Sequence, residues 1–295
     1  MSSKGNRYLP LTGMNVLQMP EDELRSLVAS VLDNKIHGIS FSPYVEGQAP
    51  GTQISQQQIE SRLDIIADKV NWIRSFSCTE GNELIPRIAK SRGLKTLVGA
   101  WLDDDLENNE KEITNLIEVA KAGYVDIVAV GNEVLLREDL TEEQLIDYIE
   151  RVKAALPGLE VGYVDAYYEF EVHPNVADAC DVILANCYPF WEGCTLDYSI
   201  LYMKDMYRRA IRAGKGKKVI ITETGWPNLG PAEWSAEPSV ENAMKYFIGS
   251  YQWADEEEIE IFYFSSFDEA WKVDKEGGVG AHWGLWDHKG VLKYV

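Results

Sequence analysis

Eight short runs rich in Val, Ile and Leu recur along 295 residues, amphipathic helical patterns lie between them, and no Pro/Ser/Gly-rich linker divides the chain. Together these features predict an α/β fold, a single (β/α)8 barrel of the TIM type spanning residues 1–295, because parallel strands buried on both faces read as near-continuous apolar stretches. The runs cover 37–44, 71–78, 95–102, 125–133, 160–167, 181–188, 217–224 and 259–267. A doubly wound open sheet is the alternative, and it would want a Gly-rich phosphate turn after its first strand. That turn reads Ser42-Pro43-Tyr44-Val45-Glu46-Gly47-Gln48-Ala49-Pro50-Gly51, which fits neither GxGxxG nor GxxxxGKS. The barrel is therefore preferred.

Residues 1–36 precede the first strand, and Pro20-Glu21-Asp22-Glu23-Leu24 opens a helical pattern over 20–33 expected to cover the bottom of the barrel. Between strands one and two, Gln57, Ile59, Leu63 and Ile66 mark a helix with one apolar face. After strand three, Asp103-Asp104-Asp105-Leu106-Glu107 resembles a calcium loop but lacks its Gly and its terminal Glu in register. It reads instead as the acidic start of a helix, favoured by the helix dipole. Thr141-Glu142-Glu143-Gln144 is a capping box, Leu145, Tyr148, Ile149 and Val152 form the stripe that follows, and Pro157-Gly158 ends the helix. After strand eight there is only Gly277-Gly278-Val279-Gly280-Ala281-His282-Trp283-Gly284-Leu285-Trp286, an aromatic loop able to fold over the mouth.

Strand four ends in Val130-Gly131-Asn132-Glu133 and strand seven in Ile221-Thr222-Glu223-Thr224-Gly225-Trp226-Pro227. Side chains at the C-terminal ends of barrel strands face the mouth, where this fold does its chemistry. Counting strands sets Glu133 and Glu223 on opposite walls of one cavity. Paired carboxylates about 5–5.5 Å apart are what retaining glycoside cleavage requires, one as nucleophile and one as proton donor with a different pKa. Asn132 could bond a sugar hydroxyl beside the reacting carbon, and Arg74 at the end of strand two could hold a catalytic carboxylate ionised. Tyr44, Tyr167, Tyr188, Trp191, Trp226, Trp234, Trp271 and Trp283 fall at strand ends or loops, where flat sugar faces can stack on them.

The two strand ends resemble the signatures of glycoside hydrolase family 17, the β-1,3-glucanases, in their bacterial and fungal members. The likeness runs from about Gly38 to Leu292 and includes Ser40-Phe41-Ser42-Pro43-Tyr44, Asn186-Cys187-Tyr188-Pro189-Phe190-Trp191 and Phe267-Asp268-Glu269-Ala270-Trp271-Lys272. It implies that Glu133 is the acid/base and Glu223 the nucleophile, and that Glu269 and Lys272 support the nucleophile and the sugar hydroxyls. A further family glutamate is matched by Glu276 at a different spacing. Plant members usually read ESGWP where this chain has Glu223-Thr224-Gly225-Trp226-Pro227, so cleft shape is not carried over from them. The expected binding set is Asn132, Tyr44, Arg74, Tyr188, Trp191, Trp226, Glu269, Trp271 and Lys272, and the expected partner is a β-glucan polysaccharide or oligosaccharide. Retaining endo-cleavage of laminarin-type chains is the leading expectation. Transfer to a second sugar is the first rival, a glucan-binding module without chemistry the second, and mixed β-1,3/1,4 chains are a further substrate class.

Twenty-eight basic against 48 acidic residues, net charge −20, argue against nucleic acid or an anionic membrane as partner. No cofactor is expected. No metal site is expected either, since His37, His173, His282 and His288 form no HExxH pattern and Cys78, Cys180, Cys187 and Cys194 no ligand spacing. Buried free thiols are the expectation, with a Cys187–Cys194 pair as the alternative. Met1–Met19 lacks the apolar core of a signal peptide, and Leu9-Pro10-Leu11-Thr12-Gly13 only imitates a sorting signal. The terminus reads as the start of a segment whose export signal is not included, so an extracellular or periplasmic setting is expected.

Overall fold

The computed structural model describes residues 13–294, and most of the Leu9–Gly13 motif therefore lies outside the described residues. Eight strands, β1 (Ile36–Ser40), β2 (Val70–Ser75), β3 (Lys95–Ala100), β4 (Ile127–Asn132), β5 (Glu160–Ala166), β6 (Val182–Asn186), β7 (Lys218–Thr224) and β8 (Ile261–Tyr263), pair in sequence order into a closed parallel barrel. The helices are α1 (Glu21–Asp33), α2 (Gln56–Ile66), α3 (Ile85–Ser91), α4 (Leu106–Lys121), α5 (Glu142–Ala155), α6 (Glu169–Val172), α7 (Pro174–Ala179), α8 (Leu196–Gly214), α9 (Val240–Glu256) and α10 (Val273–Glu276). All eight expected strands are present. Strand β8 is three residues long rather than nine, because the chain beyond Tyr263 turns away into the loops over the mouth.

Two apolar layers hold the barrel. Inside it, Leu97, Ile127, Ala129, Val164, Val182, Leu184, Ile220 and Phe262 fill the lumen. His37 and Trp72 stack at its lower end with Phe262 edge-on to both, ring centroids 5.2–6.1 Å apart. A larger cluster lies between strands and helices. Each stripe read from periodicity is buried as expected: Ile59, Leu63 and Ile66 on α2, and Leu145, Tyr148, Ile149 and Val152 on α5. The Thr141/Gln144 capping box is present. Asp105 caps α4 by accepting from Asn108 N at 3.0 Å, in keeping with the helix-start reading of the acidic run.

Helix α1 packs against the helix that precedes β8. No α-helix longer than four residues follows β8 among the described residues. Leu24, Val28, Val31 and Leu32 of α1 are buried, and α1 lies along α9. Lys245, in the early turns of α9, ties the start of this segment by donating to Leu17 O at 2.7 Å. All four cysteines are free, three of them buried. No helix among the described residues is long and apolar enough to cross a membrane.

Candidate active site

Glu133 leaves β4 through a bulge. The β4–β5 register shifts between Ala129 and Asn132, Gly131 takes φ +84° and Glu133 itself φ +51°. A Cβ on Gly131 would meet Val134 Cγ2 at 2.8 Å, so glycine is required by space as well as by backbone angle. Left-handed backbone on a glutamate costs about 1 kcal/mol or more, and such outliers persist where the surroundings over-determine them. Here they do. Arg137 donates to Asn132 O and, at 2.8 Å, to Leu102 O, while the Tyr163 hydroxyl accepts from Leu135 N at 2.9 Å and donates to buried Asp165.

Two further register shifts lie at the same end of the barrel, between Ala185 and Asn186 and between Ile221 and Thr224. Bulges of this kind re-aim side chains next to sites. Asn186 comes opposite Glu223 and donates from Nδ2 to Glu133 Oε1 at 2.8 Å, and its Oδ1 is fixed by Thr222 Oγ1 at 2.9 Å. Glu223 is buried and doubly held: Arg74 Nη1 donates to Oε1, and the Tyr188 hydroxyl to Oε2 at 2.7 Å. Arg74 also donates from Nη2 to Asn132 Oδ1 at 2.6 Å, which leaves the Asn132 NH2 to bind something else.

The two carboxylates thus differ in kind. Burial, and next the charge of Glu223, push the Glu133 pKa up to about 7, against the smaller pull of its Asn186 hydrogen bond. Asp165, one strand away, is pushed up to about 6, mainly by its own burial, and its charge adds to the upward push on Glu133. Glu223 instead has a cation and a hydroxyl on its two oxygens, which compensate a negative charge.

Both face a cavity of about 360 Å³ lined also by Leu136, Tyr167, Tyr168, Asn186, Tyr188, Trp191, Glu192, Phe264 and Glu276. Burial pushes Glu276 up to about 7 as well, with Lys272 opposing and Glu223 and Glu269 adding to the shift. The expected strand-eight pair is formed: Lys272 Nζ lies 2.6 Å from Glu269 Oε2 and 4.1 Å from the centre of the Phe264 ring. Glu269 Oε1 also accepts from Ser42 at 2.5 Å and from Trp271 Nε1 at 3.0 Å, and Tyr44 packs edge-on against Trp271. That group adjoins the cavity without lining it.

Trp226 is a correction. It is 1% exposed, donates to Glu237 O at 2.9 Å and packs on Phe190 and Tyr246, so no sugar reaches it. Its neighbour Gly225 explains why: a Cβ there would come 2.2 Å from Phe264 O, and the chain folds inward at this point. Arg74 is likewise buried under the carboxylates rather than open to a ligand. The sequence reading missed Asn186, Tyr168, Glu192 and Phe264 as lining groups. Asn186 stood inside a quoted strand-end motif and could have been found as the amide facing strand seven; Tyr168, Glu192 and Phe264 carried no signal. A shallower groove of about 460 Å³ between Thr79 and Asn115 is far from this chemistry, and its Glu107 and Glu110 are already paired with Lys111 and Arg151.

A closed (β/α)8 barrel with two unlike carboxylates in one cavity at its strand ends is the architecture of a glycoside hydrolase. The chain belongs to the family described as the BtgE/BtgC glycoside hydrolase domain, whose model matches residues 38–284. A glucan 1,3-β-glucosidase of Candida albicans is 28% identical over 274 residues, 83% of this chain and 87% of the relative. Among solved structures, a glycoside hydrolase family 17 β-1,3-glucanosyltransferase from Rhizomucor miehei superposes with TM-score 0.78 at 29% identity, covering 88% of this chain and 96% of the other. The family 17 resemblance read from the strand ends therefore stands. An endo-laminarinase from Formosa shares the fold at TM-score 0.75 and 19% identity, covering 88% of this chain and 85% of its own.

Proposed function

We infer that this enzyme cleaves β-1,3-glucan of the laminarin type, within the chain and with retention, using Glu223 as nucleophile and Glu133 as acid/base. The contrast between the two carboxylates carries the reading: one is held protonated near neutrality, the other is compensated by Arg74 and Tyr188. The substrate class rests on the kinship to glucan 1,3-β-glucosidases and to the Rhizomucor enzyme. Internal cleavage rests on the family resemblance of the strand ends. A polymeric substrate also fits work outside the cytoplasm.

In the first step a Glu223 oxygen attacks the anomeric carbon while the bond to the leaving oxygen breaks and that oxygen takes the Glu133 proton. In the second, Glu133 removes a proton from the incoming hydroxyl, whose oxygen displaces Glu223 from the same carbon. Asn132, its Oδ1 tied to Arg74, presents its NH2 to the neighbouring sugar hydroxyl. A bond there that tightens in the transition state lowers the barrier rather than KM.

A second reading has one specific support. The Rhizomucor relative, which covers nearly the same length, is a glucanosyltransferase, so a sugar hydroxyl instead of water is a competing acceptor. One experiment addresses both. A reduced-end-labelled laminari-oligosaccharide is followed by NMR and chromatography at low and high donor concentration. β-Anomers at early times and a ladder of shorter products are expected; an α-anomer would sink the retaining scheme, and products longer than the donor would turn the reading to transfer.

A further inference from the structure

Trp234 is the most exposed large apolar side chain among the described residues, at 88%. It sits in the loop after β7, at a tight Glu233–Ala236 bridge, and its backbone has φ +50°. Left-handed backbone suits Gly or Asn; on a bulky residue it costs about 1–2 kcal/mol. A tryptophan here therefore loses conformational energy and gains almost no burial. Stability does not explain it.

Its position does point to a ligand. The Trp234 Cβ lies 2.6 Å from where a Cβ on Gly193 would be, so its loop is pressed against the loop that carries Trp191 and Glu192, two walls of the catalytic cavity. Ser235 N also donates to Gly193 O at 3.3 Å. On its other side the same loop packs on the segment after β8, where Gly230 is backed against Val279 and Pro231 against Gly278, just past Glu276. Trp191, at 37% exposure, continues the aromatic surface from the cavity toward the rim. Thus the loop is anchored at both ends while its indole stays in solvent. A pyranose ring has an apolar face of C–H groups that stacks on an indole, and a polymer leaving a 360 Å³ cavity must cross the rim.

We propose that Trp234 is a remote subsite that stacks a glucose ring of a long β-glucan chain outside the reacting pair. The proposal rests on the glucan reading above and deepens it: the enzyme favours polymer over short oligosaccharides. The loop ties keep the indole next to the cavity wall, so the ordering cost of the platform is already met in the free protein.

The test uses full-length Glu223→Gln protein, in which turnover is blocked, and compares binding of laminarin with binding of laminaritriose by calorimetry. Adding Trp234→Ala should weaken laminarin about tenfold, equivalent to about 1.4 kcal/mol, and leave laminaritriose unchanged. Trp234→Phe should restore most of the affinity. Trp234→Asn, which tolerates the left-handed backbone, should raise the melting temperature yet bind laminarin as weakly as the alanine variant. Equal laminarin affinity with and without the indole would overturn the subsite and leave the glucan reading intact, as would equal losses for both ligands, which mark a disturbed cavity. If the Glu223→Gln protein with Trp234 in place binds neither ligand, the glucan reading falls and the subsite with it.

Discussion

The β4 wall and the β7 wall of the mouth each present one glutamate, and they treat it in opposite ways. On the β4 side Glu133 has a neutral amide as its partner and the acids Glu223 and Asp165 around it, so burial and like charge keep its proton near neutrality. On the β7 side Glu223 has both oxygens occupied, one by a guanidinium. The same residue type meets burial and like charge on one wall and a guanidinium and a hydroxyl on the other, according to what the neighbouring strands bring within reach. One side chain, Asn132, belongs to both walls, because Arg74 binds it and Glu223 together.

Swapping each glutamate for glutamine is the largest perturbation of this contrast. With Glu223 as the proposed nucleophile, Glu223→Gln should lower kcat on every glucoside by roughly 10⁴-fold or more, since the covalent step would be lost. Glu133→Gln should cost about 10²–10⁴-fold on glucan but much less in the first step with a dinitrophenyl glucoside, whose leaving group needs no proton. Steady-state and burst kinetics on both donors check this, and an equal loss in both variants on the aryl donor would erase the division of roles.

Stability offers a smaller and independent contrast. Glu133 has a folded pKa of about 7, above its ordinary 4.5, so the stability linked to its protonation is full below about pH 4.5 and is lost as pH rises through 7. Glu133→Gln should therefore match the wild type near pH 4 and exceed it at pH 8 by about 1–3 kcal/mol. Urea titrations at the two pH values measure the difference; a variant less stable at pH 8 would show that Glu133 does not suffer from burial.

The smallest effect separates the two sources of the shift. The alkaline limb of kcat/KM should fall near pH 7, where Glu133 loses its proton. Asp165→Asn removes one neighbouring charge while burial persists, so the limb should move to lower pH by less than one unit. An unmoved limb would leave burial and Glu223 as sufficient causes.

Much of this was legible before folding. Glu133 and Glu223 could be placed at the mouth because β-branched runs announce buried strands, and a strand's C-terminal end in this fold is the mouth. The Glu269–Lys272 pair was expected from the family resemblance of the strand-eight segment, and the turn there brings the two to 2.6 Å. Trp226 went wrong for the opposite reason. Its place in the sequence is beside Glu223, yet Gly225 lets the chain pass under Phe264 O, and the indole ends in the core. Tyr168 and Glu192 lay in loops whose direction no periodicity reports.

By itself, then, the sequence determined the eight strands, their order, the main helices between them and the two carboxylates at the mouth, because alternation, capping and turn chemistry act between residues a few positions apart. Tertiary structure alone decided that α1 packs along α9, that Arg74 holds Glu223 rather than Glu133, and that burial raises the Glu133 pKa to about 7. Those outcomes depend on desolvation and on charges contributed by separate strands. Such quantities come into being only when the barrel closes and water leaves the space between its walls.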